Sequence, residues 1–394
     1  MFRNIKKENL LAYFLTYVGY MTLTISMPLI STLASSLNIS VEQAEIAMSL
    51  SFFMFSLSAI FFATLSDIFT GKKVLFFSQS LSIAGLIVLG ISNSIDIIYI
   101  GFICLGLGTG CYSSIARALI SRNSDDVIQM KKAYAILSVM IIVAPIVSTY
   151  LVLSILSTSW RLAYFIMASI EIALFVFSIN ILRIDAQNQV LIPASEILSG
   201  FVHALSKPRY LLNVMVAAIL FSFYLGVLMS SYKGLLIDEL NMSINTFTII
   251  FLLASVFYIF GIFCYRMKAD EAYKKRYRLG VLGLAFIFII LYTFLKVSLY
   301  STIISLQLIC FFIGFFIPLA TGAAMSDITK NHGTAAAMMT FSVGLCMSIW
   351  GFIKAHIDMS NYHLILLALW VCFSLALLFK VIVVFIVDSR RKTL

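Results

Sequence analysis

The sequence predicts an all-α membrane protein, with twelve transmembrane helices in two pseudo-symmetric six-helix bundles. Three observations lead there. Of 394 residues, 62% are hydrophobic and only 11% are charged, and the mean hydropathy is +1.05. A water-soluble domain cannot hide that much apolar surface. The apolar residues come in runs near the length of about 20 that crosses a bilayer as a helix. A stretch of the first half also recurs in the second. The runs do not alternate polar and apolar residues, which excludes a membrane β-barrel.

The first run, 10–32, follows the basic start MFRNIKKENLL. No small-residue cleavage site accompanies it, so it reads as a retained helix and not as a signal peptide. Five more runs follow at 41–65, 74–92, 97–120, 133–156 and 162–182. A polar stretch, 183–209, then interrupts the pattern. The second set is 210–232, 245–265, 279–294, 300–325, 334–352 and 362–387. The ninth run can be divided differently with its neighbours, which would leave eleven. The expected organisation is a six-helix bundle over 1–188, a cytoplasmic linker over 189–208 and a second bundle over 209–394. Within the linker region, SEILSGFVHALSKPRY puts Ile197, Phe201 and Leu205 on one helical face. It is expected to lie on the inner membrane surface.

The net charge of +10 would suggest nucleic acid in a soluble protein. Here it has a topological explanation. With the N-terminus inside, Arg3, Lys6, Lys7, Lys72, Lys73, Lys131, Lys132, Lys274, Lys275, Arg276, Arg278 and Arg390 through Lys392 all fall on the cytoplasmic side. Only Arg161, Lys233, Lys296 and Lys354 fall outside, while Arg117 and Lys380 lie within spans. That asymmetry obeys the positive-inside rule. The six cysteines all sit in apolar runs without metal-ligand spacing and read as small core residues.

The repeat is carried by LNIS at Leu37 and LNMS at Leu240, 203 positions apart. The same offset carries Asp67 to Asp270, and Lys72 and Lys73 to Lys275 and Arg276. An outer turn, a span and a charged inner loop therefore recur in order. Duplicated halves in a multi-span chain point to a transporter, with a midplane site between halves that rock.

Several segments resemble the major facilitator superfamily, and within it the Bcr/CflA group of drug–proton antiporters. APIVSTYLVLSILSTSWRLAYF, from Ala144 to Phe165, resembles the fifth span, outer turn and start of the sixth. ARALI at Ala116, LNMSINTFTIIF at Leu240 and HGTAAAM at His332 resemble the end of the fourth span, the seventh-to-eighth junction and the start of the eleventh. The departures are equally specific. In SDIFTGKK the family's inner-loop Asp is kept as Asp67, but Ala63 and Ile68 replace its Gly and Arg. The fourth-span Arg and Gln are absent, with Phe102 and Leu105 in their places. Thr24 stands where the group has a first-span acid, and the fifth span keeps Pro145 but has no glycine from Met130 to Ser157.

The resemblance implies a gating role for Asp67, whose carboxylate could face a helix N-terminus. Lys72 and Lys73 could latch to Asp125 or Asp126, or could simply enforce topology. Pro28, Pro145 and Pro318 fall inside spans one, five and ten, where a proline kinks the helix and the superfamily's lining helices bend. Ionisable groups at membrane depth call for a role. Glu171 is the one acid deep in a span, so it is the candidate for proton coupling, with a structural bond to a neighbouring helix as the alternative. Arg117, near the inner end of span four, could pair with Asp67 or meet an anionic group.

Tyr13, Thr16, Tyr17, Tyr20 and Thr24 share one face of span one. With Cys111, Tyr112, Asn213, Ser222, Tyr224, Gln307, Met338, Met339 and Thr340 they form candidate lining of an aromatic, Met-rich pocket. Of these, Tyr13, Tyr17, Tyr20, Thr24, Tyr112, Asn213, Tyr224 and Gln307 are the candidate substrate ligands. Helix packing explains many of them equally well. Without a first-span acid, a strongly cationic substrate is disfavoured.

No nucleotide loop, metal cluster or catalytic constellation is evident, so neither an enzyme nor a cofactor is expected. GLGTG at Gly106 lies inside a span and reads as helix packing. The sequence reading is a monomeric secondary transporter that exports an amphipathic organic compound by alternating access, driven by a proton gradient. It is placed in a bacterial inner membrane with both termini cytoplasmic, and it has no nucleic-acid partner. A dedicated siderophore or anionic-metabolite carrier is the alternative. A membrane receptor or scaffold without turnover is the rival of another class.

Overall fold

The computed structural model describes residues 6–68, 71–123, 127–156, 158–182, 194–228, 234–265, 284–285, 287–288, 290, 298–325, 328, 332–357 and 362–382. Among them every regular element is helical. The first is α1 (Lys7–Thr24), followed by a 3₁₀ turn over Met27–Leu29 and α2 (Ile30–Leu37). Then come α3 (Val41–Ile68), α4 (Gly71–Ile91), α5 (Ile95–Thr109), α6 (Tyr112–Asn123), α7 (Val127–Ile155) and α8 (Trp160–Ile181). The linker holds α9 (Ala194–Leu205). The second half has α10 (Pro208–Phe223), two π-helical segments (Tyr224–Leu228 and Gly234–Glu239), α11 (Ile244–Tyr265), α12 (Leu299–Met325), α13 (His332–His356) and α14 (Tyr362–Ile382). Ten helices among the described residues are long and apolar enough to cross a membrane. Most of the expected ninth span, 279–294, lies outside the described residues.

The chain forms two compact units. One comprises Met1–Lys207 with Ile328–Ile357, and the other comprises Pro208–Asp327 with Asp358–Leu394. In the first unit α1 packs on α6, α7 and α8, α4 lies between α5 and α8, and α3 contacts both α5 and α13. In the second, α10 packs on α12 and α14, and α11 packs along α12.

The 203-residue repeat is visible in the backbone. Asn38 and Asn241, at that offset, are the described non-glycine residues with positive φ, both at 53°. Asn tolerates this left-handed geometry better than most side chains, so it ends one helix and turns the chain into the next. Ser40 and Gln43 then cap α3 reciprocally, each side chain accepting the other's backbone N–H at 3.1 Å. At the equivalent place the Ser243 hydroxyl accepts the Thr246 N–H at 3.2 Å.

A helix crossing recurs as well. A Cβ on Gly110 would sit against the Phe55 carbonyl, and one on Gly314 against the Tyr258 carbonyl. Phe55 and Tyr258 are themselves 203 positions apart. Lipid supplies no hydrophobic force between helices, so close approach at small residues is what joins them. The first helix of each half is also interrupted. α1 stops at Thr24 ahead of Pro28, and α10 passes at Tyr224 into π-helical geometry.

Two further differences from the sequence reading have local causes. The fourth run is two helices, α5 and α6, separated at Gly110 and Cys111, where the close approach to α3 falls. Lys354, assigned as an outer topological charge, lies in α13 with only 5% of its side chain exposed. In α9, Val202 and Leu205 are exposed, and the side chain of Ile197 lies outside the described residues.

The crossing gives a stability prediction. Gly314→Val forces a side chain into the Tyr258 carbonyl and should cost about 1–3 kcal/mol, the usual range for overpacking. Thermal unfolding of detergent-solubilised protein should show a clearly lowered midpoint, and an unchanged midpoint would mean the crossing is looser than described.

Candidate functional site

The site is built on one stripe of α8. Tyr164, Glu171 and Ser178 are seven residues apart and lie on nearly the same face, because two helical turns fall only about 20° from a full repeat. All three are buried, Glu171 with 0% exposure. Each reaches a different neighbour. The Tyr164 hydroxyl is 2.9 Å from that of Ser26, and Ser178 Oγ accepts from Gln79 Nε2 at 3.2 Å.

Between them Glu171 joins four helices. Thr22 of α1 donates to Oε1 at 2.7 Å, and Ser82 of α4 donates to the same oxygen at 3.3 Å. Tyr112 of α6 donates to Oε2 at 3.0 Å. Thr22 and Ser82 are fully buried, and Tyr112 is 1% exposed. Cys111 extends the cluster, its thiol 2.9 Å from Ser78 Oγ, which in turn donates to the Gly108 carbonyl.

The chemistry of this donor set is specific. An ionised carboxylate accepts only, and the three hydroxyls can all donate to it. A protonated carboxyl donates once, and a hydroxyl can turn to accept that bond. Among the described residues no Lys, Arg or His forms an ion pair with Glu171. The cluster can therefore serve the carboxyl group with or without its proton, using neutral groups alone. A buried charge held this way is costly, which makes the exchange of a proton chemically meaningful.

The structure places the other sequence candidates as follows. On α1, Tyr13 and Tyr20 are buried and Tyr17 is half-buried, and the Tyr20 ring meets Phe55 edge-on at 6.1 Å. Thr16 donates to the Ala12 carbonyl of its own helix. Thr24 bonds the Tyr20 carbonyl at 2.7 Å and Ser148 Oγ of α7 at 3.0 Å, so it ties α1 to α7 beside the Pro145 turn. Asn213 donates to the Arg209 carbonyl one turn earlier. Gln307 of α12 donates to the Ile250 carbonyl of α11 at 3.2 Å, and its Oε1 has no hydrogen-bond partner among the described residues. Tyr224 opens the π-helical segment, its ring 5.3 Å from that of Tyr258 and its buried hydroxyl without a hydrogen-bond partner among the described residues. Ser222 donates within its own helix, to the Ile219 carbonyl.

Among the gating candidates, Arg117 of α6 reaches α13, donating to the Ala336 carbonyl at 3.4 Å and to Thr340 Oγ1 at 3.3 Å. Lys72 and Lys73 lie in the first turn of α4, with the Lys72 ammonium 5.3 Å from the Phe76 ring centre. A cation there opposes the helix dipole, which suits a topological role. Asp67 ends α3, but its side chain and the whole of Asp125 and Asp126 lie outside the described residues. Pro28 occupies the 3₁₀ turn, and Pro145 and Pro318 lie inside α7 and α12.

Of the sequence candidates, Glu171 and Tyr112 are thus brought together in one site. Thr22 and Ser82 were missed, although two hydroxyls in lipid-depth helices opposite an acid are the signal to look for. So was Glu45, which pairs with Lys354.

A duplicated, multi-span helical chain with an ionisable group held at membrane depth has the architecture of a transporter. The family model of the Major Facilitator Superfamily matches residues 10–355, and the chain belongs to that family. It is also 23% identical over 339 residues, 84% of each chain, to the Multidrug resistance protein D of Escherichia coli (strain K12).

The hydroxyl set predicts a graded response to substitution. Glu171→Gln keeps one acceptor and adds a donor, so stability should stay within about 1 kcal/mol of the parent. Glu171→Leu strands three buried hydroxyls at roughly 1–3 kcal/mol for each one that finds no other partner. Melting in detergent should therefore rank parent and Gln together, well above Leu, and equal midpoints for Gln and Leu would refute the bonding described.

Proposed function

We propose that this transporter is a proton-coupled exporter of an amphipathic organic compound, working by alternating access in a bacterial inner membrane with both termini in the cytoplasm. Family membership supports transport, and the likeness to the Escherichia coli Multidrug resistance protein D supports an organic compound as cargo. The observation that carries proton coupling is the Glu171 cluster, which accommodates the carboxyl in either protonation state without a cation.

The cluster bonds α1 to α8, and α1 is the helix broken ahead of Pro28. Loss or gain of the proton reorganises three hydroxyls on α1, α4 and α6 at once. That is a physical route from protonation to helix position. Pro28, Pro145 and Pro318 are the points at which the helices bend, and Asp67, Lys72, Lys73 and Arg117 guard the inner ends. Tyr17 and Tyr224 have capacity left for a substrate, the first by exposure and the second by an unused hydroxyl. Tyr13 and Tyr20 supply apolar wall beside Tyr17. Thr24, Tyr112, Asn213 and Gln307 act mainly by holding helices in place.

The test is flux in proteoliposomes loaded with an anionic amphipathic dye such as carboxyfluorescein. An antiporter moves cargo against the proton, so dye should collect on the acidic side of an imposed pH gradient. Glu171→Gln should reduce that response at least tenfold while downhill dye exchange persists. Undiminished pH-driven flux in the variant would remove Glu171 from the coupling mechanism.

A further inference from the structure

We propose that Glu45 and Lys354 form a latch between α3 and α13, and that its separation opens the Val41 end of the first unit during transport. The inference rests on the transporter reading but concerns a different part of the molecule from Glu171. Both helices belong to the first compact unit.

The Lys354 ammonium lies 3.0 Å from Glu45 Oε1 and 3.1 Å from Oε2, so both carboxylate oxygens are engaged. The two side chains are only 5% and 11% exposed. Surface pairs of this kind contribute little, and the neighbouring His356–Glu42 contact, 3.4 Å long and well exposed, is of that sort. The Glu45–Lys354 pair differs because both charges have left water. Such a pair is a poor source of net stability, since desolvation cancels much of the attraction. It is nevertheless a strong discriminator between arrangements, because parting the charges while they stay dry is severely unfavourable. The pair therefore has two acceptable states: closed and dry, or open and hydrated.

The seam beneath it fits such a two-state element. Gly351 lies against Ser49, and Gly344 lies against Ser56 and Phe55, each with no room for a Cβ. Ser348, between the two glycines on the same face, is 2% exposed. The contact is made by these glycines and serines together with the Phe55 ring, and Glu45 and Lys354 lie at its end. α13 is also the helix that Arg117 holds at its other end, through Ala336 and Thr340. The seam is thus fastened at one end by a charge pair that water can replace. At the other end a guanidinium bonds neutral oxygens.

The test reads motion, so it needs no transported compound. Ser348→Cys is nearly isosteric and lies about 9 Å below Lys354 along α13. The full chain carrying it is reconstituted in liposomes and treated with N-ethylmaleimide, which crosses bilayers. Labelling of that cysteine is followed by peptide-level mass spectrometry, which separates it from the native thiols. We expect slow labelling with the pair intact and at least fivefold faster labelling in Glu45→Gln or Lys354→Gln. The charge-swapped double variant, E45K with K354E, should return to within twofold of the intact pair.

Unchanged rates in the single variants would overturn the latch, as would a swapped pair that labels as fast as they do. Where a single variant does not reach the membrane, the swapped pair decides by the same criterion. Failure of the swapped pair to assemble would make the contact a folding element and overturn the proposal. A chain that shows the expected labelling pattern but moves no dye would leave the latch standing and count against the exporter reading alone.

Discussion

Inside a bilayer a polar atom has no water to fall back on, and this one constraint organises the structure. Each buried hydroxyl, amide or carboxylate must find a partner within the protein. Glu171 is the extreme case. Its two oxygens take bonds from α1, α4 and α6, so the least affordable group in the core becomes the point at which four helices meet. Tyr164 and Ser178 extend the same stripe one heptad to either side, each bonded to a neighbour. Most other buried hydroxyls solve the problem within their own helix, as Thr16, Ser49 and Ser255 do by donating to carbonyls four residues back. Such side chains are satisfied but bind nothing together. Glu171 cannot be satisfied that way, because a helix offers a side-chain acceptor no free N–H in its interior.

The same constraint explains the close crossings. Apolar side chains gain nothing by leaving lipid for one another, so helices join where their backbones can touch. Gly110 and Gly314, 204 positions apart and so one residue out of register with the repeat, provide that contact against Phe55 and Tyr258. A duplicated chain keeps such contacts as a set. The Asn turn, the capping serine and the crossing glycine all recur, although most residues around them have diverged. What persists in the repeat is backbone geometry that few side chains can supply.

Charge is used at two depths with two outcomes. Near the ends of helices, cations such as Lys72 and Lys73 sit in a first turn, with the Lys72 ammonium over the Phe76 ring. Lys354 is drawn into the α3–α13 seam and meets Glu45 there, with Glu42 and His356 forming a weaker, wetter pair nearby. The two adjacent pairs differ in burial, one dry and one exposed, and burial is what makes separating the charges costly. Arg117 reaches from α6 to α13, where it bonds the Ala336 carbonyl and Thr340 Oγ1.

The sequence by itself determined that the chain is built of membrane-length helices, ten of them found among the described residues, that it is duplicated, where prolines interrupt it, and that Glu171 is an acid out of water. These follow from hydropathy, charge and local turn chemistry, which act over a few residues along the chain. It did not determine which residues Glu171 meets, because Thr22, Ser82 and Tyr112 are 149, 89 and 59 positions away. Nor did it reveal that Lys354 is buried against a partner 309 positions distant. Nor did it show that Asn213 and Gln307, candidate pocket lining, also bond helix carbonyls. The reason is physical. A soluble helix marks its inner face with an apolar stripe, but a helix surrounded by lipid is apolar on every side. With that signal gone, only the packed structure decides which polar residue faces which neighbour.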